Sequence, residues 1–195
     1  MTEKQKMLAG LAYDSRDAEL LDLHHSAHTF LKELNSLDNR NTNQRAILLE
    51  QLFGAVGEHV WLETPFFCDY GELIFVGHNT FIHCNCTFID NNTITIGHNS
   101  LIGPSVQIYT ASHPLQASER IYKDPIPPNK THYKTYSSPV KIGHNTWIGG
   151  NSIILPGVTI GDNTTIGAGS VVASDIPEGV LAMGNPCQVV GQLEG

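Results

Sequence analysis

The chain has 195 residues, with eleven Lys and Arg against nineteen Asp and Glu, so its formal net charge is −8. This acidic balance argues against nucleic acid as the main partner, because phosphate binding relies on basic side chains. Apolar residues make up 41% of the chain, enough for a packed core, but no run of 18 apolar residues could span a bilayer, so no membrane partner is expected.

Residues 1–58 are predicted to form an N-terminal helical segment. Leu20, Leu31 and Leu34 recur at helical spacing, and a second apolar run with the same spacing ends at Phe53. Between the two runs, a stretch rich in Asp, Asn and Thr is typical of a turn between helices. The first thirty residues mix Lys, Glu, Asp and His, so no secretory signal is expected.

Residues 59–195 follow a period of six in place of the helical period. The aliphatic residues that stand six apart without a gap are Ile142, Ile148, Ile154, Ile160, Ile166 and Val172. Gly and Asn occupy many of the positions where a tight turn requires positive φ. This period fits a short strand followed by a tight turn, with three hexads closing a triangular coil. The sequence therefore predicts a mainly β fold, a parallel β-helix of hexapeptide repeats whose aliphatic side chains stack inside.

Residues 109–139 interrupt the repeat. The stretch is rich in Pro, Tyr, Ser and Lys and has no period, so it is predicted to be a structureless loop thrown out from the coils. A long excursion loop of this kind inside a compact domain is usually functional. After Pro177 the repeat fades, and the C-terminal tail is predicted to pack along the coil stack.

Several motifs are spread over nearly the whole chain. They are Glu3 to Gly10 with Tyr13 and Asp17 after it, Cys68-Asp-Tyr-Gly71, Thr110-Ala-Ser-His-Pro114, Trp147-Ile-Gly149 with Pro156-Gly-Val-Thr-Ile-Gly161, and Gly184-Asn-Pro186. Together they resemble the galactoside and maltose O-acetyltransferases of the hexapeptide-repeat acyltransferase family. The resemblance implies a left-handed β-helix, a homotrimer with active sites between subunits, and transfer of an acetyl group from acetyl-CoA to a sugar hydroxyl.

The resemblance also implies that His113, in the loop motif, is the catalytic base. The chemistry agrees, because a hydroxyl is a poor nucleophile at neutral pH until its proton is accepted as it attacks. An unperturbed imidazole, with a pKa of about 6.5, is largely neutral at pH 7 and can accept that proton. Direct attack on the thioester requires no covalent enzyme intermediate. The alternative role for His113 is a structural hydrogen bond within the loop.

For the acceptor sugar, the resemblance points to five positions that match the family unevenly. Asp90 is retained, Asp69 stands where a Ser or Asp is found, and Asn91 stands where some members have Asp. His83 replaces a typical Asn, and Asp17 lies near the position from which some members bring a carboxylate to the acceptor. This altered set implies an altered substrate preference. The alternative is that these residues bond their own backbone in turns.

For the donor, the resemblance points to the later coils and the tail. The residues expected to bind CoA are Gly103, Trp147, Gly150, Ala168, Ala173, Ser174 and Gln188. Relatives usually carry Lys or Arg here to meet the phosphates, whereas this chain has no Lys or Arg after Lys141. Backbone N–H groups could bind the pantetheine amides, with Trp147 as a wall. Positive charge could come from Lys130, Lys134 or Lys141 of an adjacent subunit.

A metal site is a competing interpretation of the His and Cys residues. Cys86, near His83 and Cys84, occupies an inward slot of its hexad and is expected to be a buried thiol, and no zinc-binding spacing occurs. No metal is therefore expected. His24 and His28, four apart on a helix, are expected to belong to a solvated polar face. The four Cys form no CxxC pair, which predicts reduced thiols and a cytoplasmic protein.

Other functions stay open beside acetyl transfer to a sugar hydroxyl. One keeps the fold and the cofactor but changes the acceptor to an antibiotic hydroxyl or an amine, because the excursion loop is long. Another is zinc-dependent hydration, which requires a second His soon after His113, whereas the next one is His132. The last is a catalytically silent β-helix that has a structural or binding role. The absence of Lys and Arg after Lys141 keeps this interpretation open.

Overall fold

The computed structural model describes residues 1–123 and 125–193, and the chain begins with three helices. Their bounds are Glu3–Leu8 (α1), Ala18–Ser36 (α2) and Thr42–Leu52 (α3). Side chains of Thr2, Asp17 and Asn41 accept hydrogen bonds from first-turn N–H groups, which fixes where the helices start. Leu31 and Leu34 of α2 are buried, as the helical spacing predicts. In this described part of the chain, no helix has the length and apolarity needed to cross a membrane.

The rest of the chain coils into a parallel β-helix with three faces. Face 1 consists of β1 (Ala55–Val56), β4 (Ile74–Val76), β7 (Ile94–Ile96), β12 (Val140–Ile142) and β15 (Thr159–Ile160). Face 2 consists of β2 (Trp61–Leu62), β5 (Phe81–Ile82), β8 (Leu101–Ile102), β13 (Trp147–Ile148), β16 (Thr165–Ile166) and β18 (Val180–Gly184), with β19 (Cys187–Gln192) antiparallel at its edge. Face 3 consists of β3 (Phe66–Cys68), β6 (Cys86–Ile89), β9 (Gln107–Tyr109), β14 (Ile153–Ile154) and β17 (Val171–Val172).

Equivalent residues of successive coils lie directly above one another. On face 2, Ile82, Ile102, Ile148 and Ile166 pair in parallel register, and each is at most 1% exposed. Burying one such side chain contributes about 1.5–3 kcal/mol relative to leaving it in water. The stack confirms the predicted period of six. The first strand already lies at Ala55–Val56, so the coil begins before the predicted boundary at residue 59.

Three corners join the faces and determine which side chains can meet. At the first corner, between faces 1 and 2, the residues with φ of 54–56° are Asn79, Asn99, Asn145 and Asn163. The second corner, between faces 2 and 3, includes residues 83–85, 103–105, 149–151 and 167–169. The third corner, between faces 3 and 1, includes residues 69–73, 90–93, 155–158 and 173–175. Each corner is therefore a column of equivalent turns running along the stack.

The excursion loop replaces the third-corner turn between β9 and β12, and it is more ordered than the predicted structureless loop. β10 (Ala111–Ser112) pairs antiparallel with β11 (Tyr136–Ser137), and α4 spans Ala117–Arg120. These short elements were missed because two-residue strands and a single helical turn carry no detectable periodicity. The pairing of β10 with β11 holds both ends of the loop at the same corner.

Candidate active site

A cavity of about 350 Å³, the loop cavity, opens at the third corner, where the N-terminal segment and the excursion loop meet the first coils. It is lined by Tyr13, Ser15, Arg16, Leu21, His24, Asp69, Tyr70, Asn91, Ala111, His113, Tyr133 and Thr135. Asp69, Asn91 and His113 enter it from three consecutive coils, since they follow neighbouring strands of face 3. Three residues predicted from separate stretches of the sequence therefore meet in one cavity.

Buried polar side chains anchor the N-terminal segment over this corner. Ser137 Oγ donates to the Met7 carbonyl at 2.6 Å, and Asn92 Nδ2 donates to the same carbonyl at 3.3 Å and to Ser137 Oγ at 3.1 Å. Further along, the Tyr13 N–H donates to the Thr135 carbonyl at 3.2 Å. The N-terminal segment and the excursion loop, which form the walls of the loop cavity, are therefore hydrogen-bonded to the coil and to each other.

The hydrogen bonding of His113 fixes the tautomer of its imidazole. Nδ1 lies 2.8 Å from the Lys134 carbonyl oxygen, and a carbonyl can only accept, so Nδ1 carries the proton. Nε2 of the neutral ring is therefore the nitrogen with the free lone pair. The ring is exposed and packs edge-on against Tyr133, with 5.3 Å between ring centroids. An imidazole held in this way can accept a proton at Nε2 from a molecule in the loop cavity.

Asp69 and Asn91 form the polar floor of the loop cavity. Both side chains line the cavity beside Tyr70. Burial raises the pKa of Asp69 above its usual value, although the nearby His24 imidazole and Asn91 amide act in the opposite direction. Burial also raises the pKa of Tyr13 and of Tyr70, so both phenols stay protonated and can donate hydrogen bonds. The floor combines donors and acceptors in reach of a polyhydroxylated molecule.

Three of the five predicted acceptor residues, Asp90, Asp17 and His83, lie outside the set that lines the loop cavity. Asp90 is fully buried, and its Oδ1 accepts the N–H groups of Asp69 and Tyr70, both at 2.9 Å. Burial raises the pKa of Asp90 to about 7, against the lowering effect of these two N–H groups. Asp17 accepts the N–H of Glu19 at 3.1 Å as the N-cap of α2. In these positions Asp90 shapes the turn that presents Asp69, and Asp17 starts the helix beside the cavity.

His83 and part of the predicted CoA set form a column at the second corner. The equivalent turns contain His83, Gly103, Gly150 and Ala168, and they are linked by main-chain hydrogen bonds of 2.8–2.9 Å between coils. A Cβ on Gly103 would lie 2.5 Å from the Gly150 nitrogen, so a side chain cannot be accommodated there. The glycines therefore let neighbouring turns stack closely at this corner, where His83, Cys84 and Pro104 still carry side chains. The corner is separated from the loop cavity by face 3.

The remaining predicted CoA residues lie on other parts of the surface. Trp147 is 55% exposed on face 2, beside Leu101 on the neighbouring strand. Ala173 and Ser174 are exposed at the third corner, on a later coil than the loop cavity, and Gln188 is exposed on β19. Within a single chain, the structure does not bring these residues together with His113.

Sequence reasoning missed several residues of the loop cavity as site residues, among them Arg16, Tyr133 and Thr135. It assigned His24 to a solvated face with His28, whereas His24 lines the cavity with its ring centroid 6.4 Å from that of Tyr70. These residues come together because the N-terminal segment docks on the excursion loop. Neither segment has a repeat, and so no periodic signal could align them.

The thiols and imidazoles form no metal centre within the described residues. In residues 1–123 and 125–193, no group of three or more His, Cys, Asp and Glu could hold a metal ion. Cys86 is fully buried, as its inward slot predicts, and burial raises its pKa to about 11. A protonated, buried thiol of this kind is a poor ligand and a poor nucleophile.

Comparisons with known proteins cover both halves of the chain. Residues 6–57 match the maltose acetyltransferase hexapeptide capping motif, and residues 139–174 match the bacterial transferase hexapeptide repeats. Nodulation protein L of Rhizobium meliloti is 43% identical over 190 residues, which is 97% of this chain and 98% of that protein. A maltose O-acetyltransferase from Clostridium difficile 630 is 44% identical, with a TM-score of 0.92 over 100% of this chain and 99% of the other. A galactoside acetyltransferase in complex with coenzyme A is 36% identical, with a TM-score of 0.91 over 100% of this chain and 92% of the other.

Proposed function

The chain belongs to the hexapeptide-repeat acetyltransferases, and on that basis we propose that it transfers an acetyl group from acetyl-CoA to a hydroxyl of a sugar or glycoside. His113 is the general base of this reaction. The single observation that carries the assignment is the 2.8 Å hydrogen bond from Nδ1 to the Lys134 carbonyl, which leaves Nε2 unprotonated at a polar cavity. The sugar acceptor is supported by the similarity to a maltose O-acetyltransferase and a galactoside acetyltransferase.

The reaction proceeds by direct attack. Nε2 of His113 accepts the hydroxyl proton while the hydroxyl oxygen bonds to the thioester carbonyl carbon. When the tetrahedral intermediate collapses, the carbon–sulfur bond breaks and CoA leaves as a thiolate. The imidazolium returns the proton to the sulfur, so the products are the acetyl ester and CoA, and His113 regains its starting state. The Lys134 carbonyl stabilises the ring while it carries the second proton.

The acceptor binds in the loop cavity. Asp69 and Asn91 offer a carboxylate and an amide to sugar hydroxyls, and the protonated phenols of Tyr13 and Tyr70 add donors. Aromatic rings beside a few placed polar groups are typical of pockets that bind small polar ligands with a fixed orientation. Asp90 supports this arrangement from below through the turn that carries Asp69.

The donor binds along the second corner. The main-chain polar groups of this corner, at Gly103, Gly150 and Ala168, would bind the pantetheine arm, with Trp147 as a wall. Ala173, Ser174 and Gln188 would contact the distal part of CoA. For the phosphates, Lys141 is exposed on β12, whereas Lys130 is 2.8 Å from Asp14 and Lys134 lies over the Tyr122 ring. Among the described residues, Lys141 is therefore the one of these three lysines that has no ion-pair or cation–π partner.

Part of the donor set, Gly103, Gly150 and Ala168, lies at a different corner from the acceptor residues, which favours a homotrimer with shared sites. A coil edge of five or six residues, at about 3.3 Å each, spans roughly 16–20 Å. A thioester bound at the second corner would therefore lie far from His113 of the same chain. Packing the second corner of one subunit, with His83 and Gly103, against the third corner of another would place both sets around one acetyl group. A monomeric mass in solution would contradict this arrangement.

The cytoplasm is the proposed location, because all four cysteines are free thiols.

Thiol release from acetyl-CoA, measured over a panel of sugars and glycosides, tests the function directly. His113→Ala is expected to lower kcat by about 10²–10⁴-fold, the usual contribution of a general base. His25→Ala is the matched control, since it removes an exposed imidazole that does not line the loop cavity. Near-normal turnover by H113A would exclude His113 as the base. Absence of thiol release with every sugar, while another class of acceptor is turned over, would exclude the sugar.

A further inference from the structure

The excursion loop returns to the coils through residues 131–135, the return segment, which lies between the N-terminal segment and His113. The Lys134 carbonyl accepts the Nδ1–H of His113 at 2.8 Å. The neighbouring Thr135 carbonyl accepts the N–H of Tyr13 at 3.2 Å. The orientation of the imidazole therefore depends on how firmly the return segment is held.

Asp14 holds the return segment at its start. Its Oδ1 accepts the Thr131 N–H at 3.3 Å, and its Oδ2 lies 2.8 Å from Lys130 Nζ. The Asp14 side chain is only 12% exposed. The Asp14 end of the ion pair is therefore shielded from solvent, whereas the Lys130 end is exposed.

Asp14 is itself fixed by helix α1. Its N–H donates to Glu3 Oε2 at 2.7 Å, and Glu3 Oε1 lies 2.6 Å from Lys6 Nζ. Burial alone would raise the pKa of Asp14, but Lys130 and the N–H groups of Arg16 and Thr131 outweigh burial and hold the pKa below its usual value. The side chain is therefore an ionised carboxylate at neutral pH, which accepts N–H groups through Oδ1 and pairs with Lys130 through Oδ2.

From these contacts we propose that Asp14 is a positioning residue for acetyl transfer. It clamps the start of the return segment to the N-terminal segment, which keeps the Lys134 carbonyl where it holds His113 with Nε2 towards the acceptor. The inference rests on the proposed function, in which His113 is the base. Asp14 stands outside the set of described residues that line the loop cavity, so it acts through the return segment and not on the substrate. Misplacing a catalytic group by about 1 Å can cost on the order of 10²-fold in rate.

Asp14→Asn tests the clamp, because it keeps the size of the side chain and removes the charge that pairs with Lys130. The expected result is a kcat lowered by about 10–100-fold, with the KM for acetyl-CoA and the melting temperature close to wild type. Asp38→Asn is the matched control: Asp38 also pairs with a basic side chain, Arg40, at 2.9 Å, but in the link between α2 and α3. D38N should leave kcat unchanged. An unchanged kcat in D14N, or a loss that follows a lowered melting temperature, would overturn the proposal.

Combining D14N with H113A separates positioning from a general structural role. If Asp14 acts through His113, D14N lowers the residual turnover of H113A by less than about twofold, since nothing is left to position. Equal fold-losses in the wild-type and H113A backgrounds would overturn the positioning role while leaving the proposed function intact. If H113A alone kept wild-type turnover, the base assignment would fail first, and the role of Asp14 would fail with it.

Discussion

The coil stack and the loop cavity are held together in different ways. In the coil stack, a buried aliphatic residue of an inner coil has an equivalent one coil above and another one coil below, as Ile96 has in Val76 and Ile142. The walls of the loop cavity depend instead on single contacts between distant segments, such as the bond between Asp14 and Thr131 and the bond between Tyr13 and Thr135. Among the described residues, neither contact has an equivalent in another coil.

Because of this difference, substitutions in the coil stack should affect stability, and substitutions in the cavity walls should affect activity. A substitution in the stack removes apolar burial from a continuous core, so its cost appears in the free energy of unfolding. A substitution in the cavity walls removes one or two hydrogen bonds, each contributing about 0.5–1.5 kcal/mol, but it displaces groups that must meet a substrate. The stack supplies a rigid frame, and the cavity walls supply orientation at little cost in overall stability.

The largest effect on stability is expected from Ile96→Ala, which empties a fully enclosed position of the stack. Ile96 is 1% exposed, so the variant should lose about 2–5 kcal/mol of unfolding free energy in urea titrations. Thr95→Ala is the matched control, because Thr95 lies next to it on β7 and points outward. Turnover per folded molecule should stay near wild type in both. A loss of turnover in I96A that exceeds the loss of folded protein would show that the two regions are coupled.

A smaller effect is expected from pH, and Asp90 and Asp14 should respond with opposite sign. Burial raises the pKa of Asp90, at a corner of the stack, to about 7. Between the usual carboxyl pKa of about 3.9 and this value, the folded state binds a proton that the unfolded state has released, so stability falls as pH rises. Asp14 has a lowered pKa, so its contribution is present above the usual carboxyl pKa and is lost as pH falls through its folded-state value.

Unfolding free energies measured at pH 5 and pH 8 test the behaviour of Asp90. Asp90→Asn removes the titrating group and keeps an oxygen that can accept the N–H of Asp69. The advantage of wild type over D90N should therefore shrink by about 1–3 kcal/mol from pH 5 to pH 8. A difference that stays constant between the two pH values would mean that Asp90 is ionised throughout, in spite of its burial.

The sequence predicts the repeated part of the molecule far better than the unique part. The period of six placed Ile148 and its equivalents in the core, and the motifs led to Asp69, Asn91 and His113. Asp90 was predicted to bind the acceptor. The direction of its side chain depends on the local turn, which points the carboxylate inward, where it accepts two N–H groups. The clamp by Asp14 joins residues 117 positions apart. No local pattern encodes such a contact, because it exists only after the two segments have docked.

The smallest effect is expected at the first corner, where repetition makes each residue less critical. Asn99 has a φ of 55°, and its amide both accepts from Asn79 and donates to Asn145 at 3.0 Å. Asn99→Ala and Asn99→Gly both remove these hydrogen bonds, but only Ala must place a Cβ in the left-handed region. N99A should therefore be less stable than N99G by about 1 kcal/mol in urea titrations, with turnover per folded molecule unchanged in both. Equal stabilities would mean that the ladder of amides, and not the backbone conformation, selects Asn here. A drop in turnover would mean that strain at this corner reaches the loop cavity through the stack, which would contradict the separation of frame and site.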